Sequence, residues 1–199
     1  MGSLPIPSRD GYRFEGWWTL PGAGGSLCVA GTRASSVSTT LYARWKEAPA
    51  GIRQPIYRFY SKKYKGHFFT IDPDERATLM CTNPNWGYEG VAYEAFTEQA
   101  RGTTALHRFY SKKYKGHFFT IDEEEMWTVR NTNPNWNYEG VAYYVYPEAV
   151  EGSVPVYRFW SKGYRHHFYT TSEAEKDDLI AHNPNWKYEG VSFWAPPAE

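Results

Sequence analysis

From Pro55 onward the chain alternates short aromatic runs with compact polar turns. Tyr57-Arg58-Phe59-Tyr60-Ser61 alternates along its length and predicts a strand. Lys63 to Gly66 is a polar turn, and His67-Phe68-Phe69-Thr70-Ile71 predicts a second strand. Asp72-Pro73-Asp74-Glu75 then marks a helix start, with an N-cap, a proline at the first helical position and a glutamate three residues after the cap. The helix must be short, because Asn83-Pro84 stops it, and Leu79 is its inward residue. Glu89-Gly90-Val91-Ala92-Tyr93 opens a last strand.

The same pattern returns twice more. Arg58 to Asp72 reads RFYSKKYKGHFFTID, and Arg108 to Asp122 repeats it letter for letter after a shift of 50 residues. A looser third copy, YRFWSKGYRHHFYTTS, starts at Tyr157. Each copy closes on Asn-Pro-Asn-Trp-x-Tyr-Glu-Gly-Val, at 83–91, 133–141 and 183–191. The helix-start box recurs as Asp122 with Glu125 and as Ser172 with Glu175, and the inward helix position as Val129 and Leu179. The units are therefore 55–104, 105–154 and 155–199. Three strands and one short helix cannot bury both faces alone, so the copies are expected to share a core. The expected class is mainly β: a pseudo-threefold, β-trefoil-like domain with one short helix per repeat, with a small three-bladed propeller-like array as the alternative.

Residues 1–47 follow another pattern. Gly11-Tyr12-Arg13-Phe14-Glu15-Gly16-Trp17-Trp18 leads through Gly22, Gly24 and Gly25 to Thr40-Leu41-Tyr42-Ala43-Arg44-Trp45. Over residues 4–46 this resembles the Listeria–Bacteroides repeat of bacterial surface proteins (LPxPxRxGYxFxGWxT…GG…TLYAxW), which implies a small β-grasp-like module. The strands that normally precede the LPxP segment are missing here, so the module is expected to be partial and the chain to be cut from a longer protein. Residues 48–54, with Pro49 and Gly51, are the expected linker.

The triplicated region resembles a repeat of unknown function found in secreted bacterial and fungal proteins, of the pattern YRFYS…HFFT…W.YEGVAY. All three copies fit, over roughly residues 56 to 195. In bacteria that repeat accompanies cell-wall hydrolases and other extracellular enzymes. The resemblance implies an accessory, polysaccharide-binding role and a secreted or cell-surface location, and it supplies no catalytic residue.

Composition narrows the choice further. Lys plus Arg and Asp plus Glu are 22 each, so no global field draws the chain to nucleic acid or an anionic membrane. No apolar run reaches 18 residues, and Met1-Gly2-Ser3-Leu4-Pro5 lacks the basic and apolar regions of a signal peptide. With only Cys28 and Cys81, and with Asn131 and Ala181 at the positions equivalent to Cys81, neither a disulfide framework nor a cysteine metal site is expected. Aromatics make up 19 % of a chain whose mean hydropathy is −0.68, so large rings must supply both the core and some of the surface.

Candidate ligand contacts recur in every copy. Tyr64, Tyr114 and Tyr164 sit in the polar turn beside Lys62, Lys112 and Lys162, where exposed rings could platform a sugar. Trp86, Trp136 and Trp186 follow the Asn-Pro-Asn turn, as core plugs or as platforms, and Asn85, Asn135 and Asn185 are polar recognition groups or turn formers. His67, His117 and His167 read as hairpin-fixing histidines, as sugar donors, or as three imidazoles converging on a metal. Glu75, Glu125 and Glu175 are assigned to the capping box. Glu89, Glu139 and Glu189 are expected to pair with Arg58, Arg108 and Arg158, or else to meet the ligand. The Lys62-Lys63-Lys65 cluster and its copies form a basic patch, either a solvated hairpin tip or a contact for an anionic polymer.

No catalytic motif is present, and polar groups that occur three times suit avidity better than a single reaction centre. The expectation is a non-catalytic, multivalent carbohydrate-binding module with no metal or cofactor, monomeric within a longer chain. A structural or protein-interaction spacer is the alternative.

Overall fold

The computed structural model describes residues 7, 9, 12–22, 24–28, 40–47 and 50–198. It divides into two compact units, Met1–Gly51 with Gln99–Gly102, and Ile52–Glu98 with Thr103–Glu199.

The first unit is one antiparallel sheet of β1 (Tyr12–Trp18), β2 (Leu27–Cys28) and β3 (Tyr42–Glu47), in the order β2-β1-β3. Phe14 lies opposite Trp45, and their rings meet edge-on at 5.4 Å. The Arg44 guanidinium lies 3.6 Å over the Trp18 ring. Residues 4–6, 8, 10, 11, 23 and 29–39 of the surface-repeat pattern, Gly11 among them, lie outside the described residues.

The second unit holds the repeats. The first contributes β4 (Arg53–Ser61), β5 (Gly66–Thr70), α1 (Pro73–Thr82) and β6 (Gly87–Phe96). The second contributes β7 (Thr104–Ser111), β8 (Gly116–Thr120), α2 (Glu123–Thr132) and β9 (Asn137–Val145). The third contributes β10 (Val154–Ser161), β11 (His166–Thr170), α3 (Glu173–His182) and β12 (Lys187–Ala195). β4 begins inside the expected linker, because Arg53 and Gln54 pair with Phe96 and Ala95.

Within each repeat the first strand lies between the other two, all antiparallel. A bulge opposite Arg58, Arg108 and Arg158 puts Gly90, Gly140 and Gly190 at φ near +105°. A Cβ there would meet nothing within 4 Å, so backbone conformation and not space demands glycine.

Twelve buried residues, four from each copy, form one core. Ile56, Leu106 and Val156 are fully buried, and the rings of Phe69, Phe119 and Tyr169 meet pairwise at 5.7 to 6.3 Å. The Tyr169 hydroxyl donates to the Phe119 carbonyl at 2.8 Å and accepts from its amide at 3.0 Å. Tyr93 and Tyr143 share a buried hydroxyl contact of 2.7 Å. No repeat could satisfy or bury these groups by itself.

The strand ends close the cycle. Phe96 pairs with Tyr144, Tyr146 with Trp194, and the Glu94 amide donates to the Pro196 carbonyl at 3.0 Å, so the third copy returns to the first. The unit is mainly β, but no closed barrel of the kind a β-trefoil requires forms among the described residues. The reason lies in the strand order. The first strand of each repeat spends both edges inside its own sheet, so adjacent sheets meet through single pairs.

The third copy breaks the symmetry at one position. Gly66, Gly116 and His166 are equivalent, and His166 is 1 % exposed with Nε2 2.8 Å from the Lys65 carbonyl. A Cβ on Gly66 would lie 2.9 Å from His166 Nε2, and one on Gly116 2.9 Å from His166 Cβ. The place where the three hairpins meet holds one side chain, and the third copy supplies it.

Candidate functional site

The hairpin turn and the Asn-Pro-Asn turn together build one wall. The Ser61 Oγ accepts from the Tyr64 amide at 3.2 Å, and Lys65, at φ 56°, donates its amide to the Ser61 carbonyl at 2.8 Å. Lys115 and Arg165 take the same left-handed conformation, which costs a non-glycine residue about 1 kcal/mol. At the end of α1 the Asn85 amide donates to Asn83 Oδ1 at 3.3 Å and the Trp86 amide to the Asn83 carbonyl at 3.1 Å. That turn sets the Trp86 ring 5.9 Å from Tyr64 and 6.1 Å from Phe68.

The opposite wall belongs to the next repeat. His117 lies 4.8 Å from Phe68, and Tyr110 lies 4.9 Å from His117. Tyr64, Trp86, Phe68, His117 and Tyr110 thus form a continuous ladder around a groove of about 860 Å³, lined also by Arg108 and Lys115. Between the third and first repeats the equivalent ladder is Tyr164, Trp186, Phe168, His67 and Tyr60, around a groove of about 420 Å³. Between the second and third it is Tyr114, Trp136, Phe118, His167 and Trp160. There Trp136 is only 9 % exposed and the Arg165 guanidinium sits 5.9 Å over Tyr114.

Beneath each ladder one arginine serves two carboxylates. Arg58 Nε contacts Glu89 at 2.7 Å, while its two terminal nitrogens hold Glu175 of the third repeat at 3.0 and 2.9 Å. Arg158 contacts Glu189 at 3.0 Å and Glu125 of the second repeat at 2.9 Å. Arg108 contacts Glu139 at 2.9 Å and Glu75 of the first repeat at 3.3 Å. The expected pairs with Glu89, Glu139 and Glu189 are present.

The capping-box role of Glu75, Glu125 and Glu175 needs correction. The N-cap amides of Asp72, Asp122 and Ser172 donate instead to Thr70, Thr120 and Thr170 Oγ1, at 3.0, 3.0 and 2.9 Å. With the amide already satisfied, each glutamate is free to cross to the arginine of the adjacent repeat.

Charge and burial set the protonation states. Burial would lower the Arg58 guanidinium, but the hydrogen bonds it donates to Glu175 and Glu89 outweigh this and raise it above its ordinary range. Burial opposes ionisation of Glu89, yet His67 and Arg58 together bring its carboxyl down to about 2. Glu175 is held low chiefly by Arg58, and Glu189 is low despite burial because His167 and Arg158 face it. The histidines go the other way for a cation. Burial lowers His67 and His167, and burial with Arg108 nearby takes His117 down to about 3.

Burial thus favours the uncharged imidazole at all three positions, and each serves a different interface. His67 Nε2 lies 3.2 Å from Glu89, and His117 and His167 lie 3.8 and 3.4 Å from Glu139 and Glu189. They do not converge on an axis as a metal set would, and among the described residues no group of three His, Cys, Asp or Glu is arranged for a metal.

A pH dependence follows. Between about pH 7.5 and pH 5 the unfolded chain protonates the residue-117 imidazole while the fold, with its value near 3, does not. Stability must then fall as pH falls, by about 2 kcal/mol from His117 alone. His67 and His167 add in the same direction. Urea midpoints at the two pH values measure it. His117→Phe should flatten the profile, and an unchanged slope would contradict the buried neutral imidazole.

Of the residues singled out from sequence, Tyr64, Trp86 and His117 line the larger groove, and Tyr164, Trp186 and His67 the smaller. Tyr114, Trp136 and His167 join in the third ladder. Lys62 and Asn85 face an outer hollow beside Pro84 and Tyr88 that meets the smaller groove at Tyr60 and Glu89. Asn85 and Asn135 are tied into their turns through both backbone and side-chain amides, and Asn185 through its amide. Lys112 and Lys162 are exposed on the same hairpin tips. Lys65 and Lys115, not Lys62 and Lys112, line the grooves. Tyr60 and Tyr110 were not singled out, although their alternation with the buried Phe59 and Phe109 put them on the opposite strand face.

A match to the family described as "Domain of unknown function (DUF5648)" covers residues 44–196. The matched span begins within β3 and takes in the strands and helices of all three repeats, and the chain belongs to this family. Comparisons with curated proteins and with solved structures find no match. No helix among the described residues is long and apolar enough to cross a membrane.

Proposed function

We propose that the three-repeat unit is a non-catalytic, multivalent carbohydrate-binding module of a larger secreted or surface protein. The observation that carries the reading is the recurrence of one groove at two successive interfaces, each with a Tyr–Trp wall above a fixed arginine and two glutamates. Stacked rings with a few converging polar groups are what a saccharide site requires. Two copies on one rigid unit let weak sites reinforce each other on a polymer.

The unit is read as three blade-like sheets around a pseudo-threefold axis, monomeric within its parent chain, with the N-terminal sheet as a surface-repeat module. The ligand is a cell-wall or extracellular polysaccharide, not a nucleic acid, since the charges balance at 22 of each sign.

A spacer function is the second reading, favoured by the 9 % exposure of Trp136 in the third ladder. A glycan array separates the two. The protein is expected to retain one or more polysaccharides, and Tyr64→Ala with Tyr164→Ala to weaken retention about tenfold. Retention of no glycan by the unmutated protein would leave the spacer reading.

A further inference from the structure

Each interface carries more negative than positive charge. One guanidinium is shared by two carboxylates at every junction: Arg58 by Glu89 and Glu175, Arg108 by Glu139 and Glu75, Arg158 by Glu189 and Glu125. Burial disfavours the charged form of the neighbouring histidines, His117 most of all, so they offset little of this charge. Around the larger groove Asp72, Asp74, Glu75 and Glu139 face only Arg108 and Lys115. Around the smaller, Glu89, Glu175 and Asp178 face Arg58 and Lys65. The aromatic floor is continuous with this charge, since Arg108 lies 6.0 Å over Phe68 and Arg58 6.0 Å over Phe168.

We infer that the inter-repeat grooves select an organic ammonium group carried on the saccharide, as in a polymer of 2-amino-2-deoxy sugars. This rests on the carbohydrate reading above and names the substituent it prefers. Ring faces attract a cation through their quadrupole, and half-buried carboxylates without a full complement of cations strengthen that attraction. A carboxylated or sulfated polymer would meet the opposite field. Of the hairpin lysines, Lys65 and Lys115 line the grooves. Lys62 and Lys63 line an outer hollow that meets the smaller groove at Tyr60 and Glu89, with the Lys63 ammonium 5.4 Å over the Tyr64 ring. The surplus of carboxylates is therefore clearest at the larger groove, where four face Arg108 and Lys115.

Isothermal titration of the full chain with a glucosamine hexamer, its N-acetylated counterpart and choline chloride, at about pH 6, tests the inference. The amine hexamer should bind about tenfold more tightly than the neutral one, with choline competing weakly. Raising the salt concentration should weaken the amine hexamer and choline and leave the N-acetylated hexamer unchanged. Asp74→Asn with Asp178→Asn, both exposed and outside the arginine clusters, should lower amine-hexamer affinity about threefold and leave the neutral hexamer unchanged. Equal or tighter binding of the N-acetylated hexamer would overturn the ammonium preference and leave the carbohydrate reading standing. Choline binding with no competition by the amine hexamer would overturn the saccharide carrier. Failure of all three, alongside a blank glycan array, would overturn both.

Discussion

Replacing Arg58 with alanine is expected to destabilise the repeat unit by about 3 kcal/mol, as a lower urea midpoint with an unchanged denaturant slope. The residue holds three contacts of 2.7 to 3.0 Å, and its loss strands Glu89 and Glu175 together at the junction that joins the third repeat to the first. Because the Glu175 side chain is 40 % exposed, water recovers part of the cost, which places the value at the low end of the range for broken buried pairs. Arg108→Ala should cost less, since its bond across the interface is a single contact of 3.3 Å. A double-mutant cycle of Arg58→Ala with Glu175→Gln should show coupling above about 1 kcal/mol. In the unmutated protein the Glu89 carboxyl should titrate near 2, and in Arg58→Ala it should rise. Zero coupling would mean that the first and third repeats do not meet there.

Gly116→Ala should cost about 2 kcal/mol, although it adds one methyl group. Its Cβ would lie 2.9 Å from His166 Cβ and 3.2 Å from His166 Cγ, and buried His166 has little room to withdraw. The compensating change is on another repeat. His166→Gly should restore most of the loss in the double variant, because it empties the space that the new methyl group needs. Thermal or urea unfolding of the two single variants and the double variant checks this. Additive losses would show that the three hairpins do not share one space.

The elements inside each copy were legible from sequence because their signals are local. Alternation placed β4 and β5, the aspartate and proline at 72 and 73 placed the start of α1, and Asn83-Pro84 placed its end. What joins the copies was less visible. A glutamate three residues after an N-cap reads as a capping box, and only the fold shows Thr70 taking the amide and Glu75 turning to Arg108. The mainly-β class was legible, while a trefoil is not confirmed: pairing partners for the central strand come from its own repeat, and no closed barrel forms among the described residues. The grooves were half legible. Tyr64 and Trp86 stood out by recurrence, but their partners Tyr110 and Lys115 come from the next copy, and no spacing within one unit connects them. The change from Gly66 and Gly116 to His166 was visible in the alignment of the copies, and its meaning depended on the three positions meeting in space.

The most direct test of the groove assignment follows the indole N–H signals of Trp86, Trp136 and Trp186 by NMR during titration with the best-retained saccharide. The signals of Trp86 and Trp186 should shift together and saturate at two ligands per chain, while Trp136, buried in its ladder, should stay in place. Saturable binding that leaves Trp86 and Trp186 unmoved would place the site elsewhere and contradict the assignment.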